Sequence, residues 1–326
     1  MDKPWNLTIP GDFKRYLEEL RPTKSTTEQL NGALEGLIEK LKKIMSVAIG
    51  RVGMAGSWGK ATSTQDDIHV NLLLYVTDLR AIEDHSKQLP SLLNEIREYL
   101  KKDNYIVMRD IADTQQYVPI YLPTSDGMVT CNIYPTVDLL GSNPSQANVC
   151  TFYRKLLTVS ERSPYNATIL EIQSKLIKDT PDNLHDLLRV VKVWQTTKLA
   201  LRGGAPKPEF FELITLHCWC KAGSPLTFDV RKGLIDVLGT LGDWSGILVI
   251  WGGTSLGRYD RTSMEEAAKH MGICFDDTPI VMDPVDPYLN YCSGIRRLVW
   301  EETARIARET IDHPLLNEIK ITTDWH

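Results

Sequence analysis

Nowhere does the sequence approach the ~18 consecutive apolar residues that a membrane-spanning helix requires. Its start, Met1-Asp2-Lys3-Pro4-Trp5, lacks the basic segment and apolar core of a secretory leader. Membrane insertion and secretion are therefore not expected; the cytosol is, with the nucleus as a second compartment. Internal repeats and low-complexity tracts are missing too, which argues against a solenoid or a disordered linker. Positive charge is in deficit, with 37 Lys and Arg against 42 Asp and Glu and a net charge of −5. Any contact with nucleic acid then needs a local basic face. Cysteine is sparse: Cys131, Cys150, Cys218, Cys220, Cys274 and Cys292 are scattered and read as reduced core residues of an intracellular protein. The one cluster, His217-Cys218-Trp219-Cys220, has adjacent and alternate spacing within a helical pattern and cannot readily aim three ligands at one zinc.

What is present suffices for a large core. At 326 residues with 42% hydrophobic content, two lobes meeting at a cleft are the natural expectation. A long helix is predicted from Thr23 to Met45, with Ser25 and Glu28 at capping-box spacing and Leu30, Leu34, Leu37, Ile38, Leu41 and Met45 on one stripe. A second helix runs from about Ser91 to Lys101. Three strands follow, Tyr105 to Ile111, Tyr117 to Leu122 and Met128 to Tyr134, the last two joined by the hairpin turn Thr124-Ser125-Asp126-Gly127. From about Asn166 the pattern turns helical, with a strongly amphipathic helix through Leu184, Leu187, Leu188, Val191 and Trp194. Gly203-Gly204-Ala205-Pro206 breaks the chain before an apolar helix from Phe210 to Cys220, and the stretch from Ile280 to Pro287 is extended. Ile295 to Glu309 reads as the last helix. The lobe change is placed around 150–165, at Ser160-Glu161-Arg162-Ser163-Pro164, giving lobes 1–160 and 161–326.

Chemistry concentrates in one stretch. Gly56-Ser57-Trp58-Gly59-Lys60 is a glycine-rich turn leading through Asp66-Asp67-Ile68 into His69-Val70-Asn71 and the apolar run Leu72 to Val76. Such a turn supplies backbone N–H groups and a hydroxyl that can hold a triphosphate, and carboxylates at alternate positions of the following strand would hold divalent ions. Here those positions carry His69 and Asn71. On the strand from Met128 to Tyr134, alternation places Asn132 with Thr130 and Tyr134, a mid-strand polar residue that must find partners.

Five ordered segments together resemble the 2′-5′-oligoadenylate synthetases of the polymerase-β-like nucleotidyltransferase superfamily. They are the Gly56 turn with its strand, Asn132-Ile133-Tyr134-Pro135, Leu188-Arg189-Val190-Val191-Lys192-Val193-Trp194, Phe211-Glu212-Leu213-Ile214-Thr215, and Asp283-Pro284-Val285-Asp286-Pro287. The resemblance implies an α+β bilobal nucleotidyltransferase fold, a mixed β-sheet lobe with the N-terminal helix and a helical C-terminal lobe. Members sense double-stranded RNA on a basic face and join ATP into 2′-5′ oligomers with two magnesium ions. By motif match, Gly56 and Ser57 would contact nucleotide phosphates, and Arg189 with Lys192 would contact the triphosphates. For double-stranded RNA the matching positions are Lys40, Lys42, Lys43, Lys60, Lys175 and Lys178, opposed by Glu35, Glu39, Glu171 and Asp179.

The metal ligands do not carry over. The resemblance places carboxylates at His69, Asn71 and Asn132, and all three are missing. An imidazole and two neutral amides remove every protein charge from a site meant for a hard cation. Asp66 and Asp67 stand just upstream; Asp67 shares strand phase with His69 but lies ~6–7 Å before the first position. Asp138 matches a family residue outside the metal site, and Pro208 stands where a family glutamine helps hold nucleotide. The expectation is a degenerate relative without metal or other cofactor, acting as an antiviral, innate-immune protein through double-stranded RNA or nucleotide, with protein partners undefined. Inactive relatives carry a ubiquitin-like tail; with the chain stopping at His326, the core without one is expected. The alternative is an active nucleotidyltransferase using magnesium and ATP, making 2′-5′-linked or cyclic products with Asp66 and Asp67 as displaced ligands. A third reading is a scaffold that binds proteins alone.

Overall fold

In the computed structural model the described residues are 10–77, 82–103, 106–109, 116–141, 143–156, 166–199, 205–316, 319 and 325. The segment from Ser160 to Pro164, the pair Gly203-Gly204 and parts of the expected strand from Tyr105 to Ile111 lie outside them. The chain forms two compact units, Arg21–Asp179 and Thr180–His326, the latter joined by Met1–Leu20.

Along the chain α1 (Pro10–Leu20) comes first and packs on the second unit. The first unit then runs α2 (Lys24–Ile44), β1 (Ile49–Ala55), the single turn α3 (Gly56–Gly59), β2 (His69–Val76) and α4 (Ile82–Leu100). It continues with β3 (Val107–Met108), β4 (Val118–Thr124), β5 (Gly127–Val137), α5 (Gln146–Leu156) and α6 (Asn166–Lys178). Its sheet has the order β1-β2-β5-β4-β3 and is mixed, since β2 and β5 run parallel while the other pairs are antiparallel.

Alternation along β2 divides the sheet into two faces. Val70, Leu72, Leu74 and Val76 join Cys131 and Ile133 of β5, and against them pack Leu30, Leu34, Leu37 and Leu41 of α2 and Leu92, Leu93 and Ile96 of α4. Each such buried side chain contributes about 2 kcal/mol of transfer free energy. On the opposite face Leu73 and Tyr75 pack with Ala55 and with Ala167 and Leu170 of α6. That helix meets β2 at these apolar side chains and also packs on β1 and α3.

Helix α2 begins as the stripe predicts, but its cap is Thr23, whose hydroxyl accepts from the Thr26 N–H at 3.1 Å. Ser25 lies inside the helix, and Glu28 faces Lys24 at 3.7 Å, so the expected capping box does not form. The hairpin turn is found as expected, Thr124 pairing Gly127 around Ser125 and Asp126, with Gly127 at φ +138°. Asp126 accepts from the hydroxyls of Thr23, at 2.8 Å, and Thr26, tying the hairpin to the start of α2. Helix α4 starts earlier than the expected Ser91, running back through Pro90 to Ile82.

The second unit holds α7 (Asp182–Trp194), a π-helical turn over Gln195–Leu199, α8 (Pro208–Lys221) and α9 (Val230–Gly242). Then come β6 (Leu248–Val249), α10 (Arg261–Met271), β7 (Ile280–Val281) and α11 (Arg297–Ile311), with β6 and β7 parallel. Its core is aromatic: the Phe210 ring lies 5.1 Å, centroid to centroid, from both Phe211, edge to face, and Trp300, tilted, and Trp194 donates its indole N–H to Thr310 at 3.0 Å. The units part between Asp179 and Thr180 rather than near 160, because α6 packs on β1 and α3 and so belongs with the sheet.

Candidate functional site

Strand register assembles the polar residues. In one row across the sheet stand Ala55 of β1, Asn71 of β2, Asn132 of β5 and Pro119 of β4, and the Arg109 N–H bonds the Pro119 carbonyl at 3.2 Å. One row along, His69 pairs Thr130, which pairs Tyr121. Asn71 and Asn132 are 7% and 6% exposed, so their amides must be satisfied by protein or ligand.

The partners define the atoms. Arg109 can only donate, so it is the Asn132 Oδ1 that receives its Nη1–H, at 3.4 Å. The Asn132 Nδ2 then donates to Asn71 Oδ1 at 3.2 Å and meets His69 Nε2 at 2.9 Å. His69 Nε2 must therefore offer its lone pair, which places the proton of the neutral ring on Nδ1. Beside this cluster the Ser57 hydroxyl accepts the His69 N–H at 3.0 Å and the Ser63 hydroxyl at 3.1 Å. Gly56 is at φ +78°, and a Cβ there would stand 2.6 Å from the His69 carbonyl oxygen, so this close approach of turn to strand requires glycine.

Gly56, Ser57, His69, Asn71 and Asn132 thus meet in one place, together with Arg109 and Ser63. These two had no cue in periodicity or spacing; only the pairing of β3 with β4 and the path after α3 bring them in. The donor set does not fit magnesium. Two amides bonded to each other and an imidazole whose lone pair is already used supply no anionic oxygen. Among the described residues no three of His, Cys, Asp and Glu gather anywhere as a metal site. Asp66 and Asp67 are exposed in a turn closed by the Thr64–Asp67 bridge, outside β2, so the expected strand phase of Asp67 with His69 is not found. Asp138 is held elsewhere, by Arg51 at 2.5 and 2.8 Å. Arg51 also bonds Glu171 of α6 at 2.7 Å, which accepts in turn from the Tyr75 hydroxyl at 2.7 Å.

In the second unit Arg189 is buried and paired with Asp186 one turn earlier on α7 at 2.8 Å, and Lys192 follows half-buried on the next turn. Pro208 opens α8 as its first residue. Cys218 is buried in α8, its thiol pushed up to about 12 by desolvation, and all six cysteines are free. Of the lysines, Lys42 and Lys43 are exposed at the end of α2, while Lys40 pairs with Asp103 at 2.7 Å. Lys175 bonds Asn143 at 2.7 Å, Lys178 is exposed, and Lys60 is half-buried after α3. The helices that carry them, α2 and α6, pack on opposite faces of the sheet. Among the described residues no helix is long and apolar enough to cross a membrane.

The fold is shared with solved nucleotidyltransferases. The chain is similar to the CdnC chain of an E. coli CdnC:HORMA-deltaN complex (TM-score 0.59, 14% identity, 96% of this chain and 92% of that one). It is also similar to terminal uridylyl transferase 4 from Trypanosoma brucei with bound CTP (0.57, 12%, 95% and 97%). Among curated sequences it is 21% identical to 2′-5′-oligoadenylate synthase 1A of Rattus norvegicus, over 96% of this chain and 93% of that protein. It is 24% identical to 2′-5′-oligoadenylate synthase-like protein 2 of Mus musculus, over 90% of this chain and 62% of that protein. Residues 145–326 match the model of the C-terminal domain 2 of 2′-5′-oligoadenylate synthetase 1. With more than half of its length matched by that model, the chain belongs to the 2′-5′-oligoadenylate synthetase family.

Proposed function

We propose that this family member is a pseudoenzyme that works by binding double-stranded RNA or nucleotide in innate antiviral defence. The observation that carries the reading is the hydrogen bond from the Asn132 side-chain amide to Asn71 Oδ1, with His69 on the same amide nitrogen, at the positions where the family resemblance places its metal-binding carboxylates. Losing partners that merely orient a ligand costs ~10–100-fold in metal affinity or activity, so losing every charged ligand removes the reaction. Exposed Lys42, Lys43 and Lys178, with Lys175, support contact with phosphate backbones.

The test is to incubate the purified full chain with ATP, magnesium or manganese and duplex RNA. No 2′-5′ oligomer is expected, and robust synthesis would overturn the reading. If synthesis is seen, replacing Asp66 and Asp67 together by alanine decides whether they act as displaced ligands.

A further inference from the structure

Of the three positions where the resemblance places metal-binding carboxylates, one, Asn132, here meets a cation, Arg109. Arg109 reaches Asn132 through Nη1 alone and stands 5.2 Å from the Tyr121 ring centroid. Its Nε is buried and has no hydrogen-bond acceptor. Among the described residues no carboxylate pairs with its guanidinium, and no other acceptor takes Nη2. A buried donor without a partner is costly, and the adjacent Nε–H and Nη2–H form the fork that matches two oxygens of a phosphate. Next to it, the Asn71 amide spends its oxygen on Asn132, which leaves its N–H groups as donors. The Ser57 hydroxyl hydrogen has only the His69 carbonyl at 3.5 Å, too long for a strong O–H···O bond, so it can turn toward a better acceptor.

Donors without acceptors, on a row stripped of carboxylates, describe an anion site. We infer that this site has changed the sign of the ion it holds: Arg109, steadied by Asn132, binds a phosphate group directly together with the Asn71 amide N–H groups and the Ser57 hydroxyl, with no divalent ion between protein and phosphate. The inference rests on the reading of this site as one that no longer holds metal. A free polyphosphate and the phosphates of a nucleotide share this chemistry.

Calorimetric titration of the full chain with tripolyphosphate, ATP and adenosine, in EDTA and in excess magnesium at constant ionic strength, tests it. Tripolyphosphate and ATP are expected to bind in EDTA and adenosine is not. Magnesium should weaken binding by masking the phosphate charge. Equal affinities would assign the ligand as phosphate alone, and a tighter ATP would assign a nucleotide; both support the inference. Arg109→Gln should weaken binding by about tenfold or more, the worth of a charge-assisted hydrogen bond. Because Arg109 also supports Tyr121 and Asn132, the near-isosteric Asn132→Asp is the second variant. It keeps the guanidinium but sets a carboxylate against it, and it should weaken binding similarly. Binding that requires magnesium, no binding of either phosphate compound, or affinity unchanged in both variants would overturn the inference. Magnesium-dependent ATP binding without oligomer synthesis would sink this inference alone, whereas synthesis would sink the proposed function.

Discussion

Arg51 shows how much of this surface is decided by single side chains. It lies 3.5 Å over the Tyr75 ring and holds Asp138 and Glu171, linking β1, the end of β5 and α6. The hydrogen bond from Arg51 keeps the Asp138 carboxyl below its ordinary pKa. A carboxylate depressed in the folded state stabilises above its unfolded pKa of ~3.9, and that contribution is lost as pH falls through the folded value. Asp138→Asn should therefore lower stability at pH 7 by less than about 1 kcal/mol, since the pair is partly solvated. In thermal melts across pH the gap should close on the acid side; a gap of constant size down to the lowest pH would contradict this account. The same residue scale separates the two polar clusters on this face. One is a charged network that fastens α6, and the other is the amide pair of Asn71 and Asn132 with the Arg109 guanidinium, inferred above to take a phosphate.

At the level of elements, the start of α2 is a joint between two distant stretches of chain. Thr23 caps the helix and shares Asp126 with Thr26, so one hairpin turn fixes where the helix begins. Thr23→Ala should cost about 1 kcal/mol by urea unfolding, the usual worth of an N-cap. Ser25→Ala, at the position where the spacing predicts the cap, should change stability by a few tenths at most. Equal losses from the two would show that the helix begins where the spacing predicts. Such competition between nearby Ser and Thr residues is decided by what approaches from elsewhere, here the turn at Asp126. Likewise the helix expected from about Ser91 continues back through Pro90, where Leu89 is buried beside Leu92 and Leu93 and that packing carries it.

For the whole molecule, the negative total charge and the split placement of the lysines set the terms of the proposed RNA binding. Lys42 and Lys43 sit at the end of α2 and Lys175 and Lys178 at the end of α6, on opposite faces of one sheet. Binding of a duplex of about 20 base pairs should fall steeply with salt, as counterion release requires. Replacing Lys42 and Lys43 together by alanine should weaken it and reduce the slope of log K against log salt by about 2. Replacing Lys40, already paired with Asp103, should do less. Binding that ignores salt, or a slope unmoved by the double substitution, would favour the reading as a protein-binding scaffold.

The sequence by itself determined the chemistry that is missing. His69, Asn71 and Asn132 are legible as alternate positions on two strands because side chains alternate with period two, and no packing can restore a carboxylate to them. It also determined the long stripe of α2, the Ser125-Asp126 turn and the amphipathic run of α7, which are local patterns. Tertiary structure alone decided what replaced the lost charges. Arg109 lies 23 residues before Asn132 and reaches it only because β3 pairs with β4 and β4 with β5. Pairing between strands depends on register over long separations, which periodicity within one segment does not encode. The same holds for α6, whose apolar side suits any core until Leu73 and Tyr75 give it one, moving it to the sheet unit.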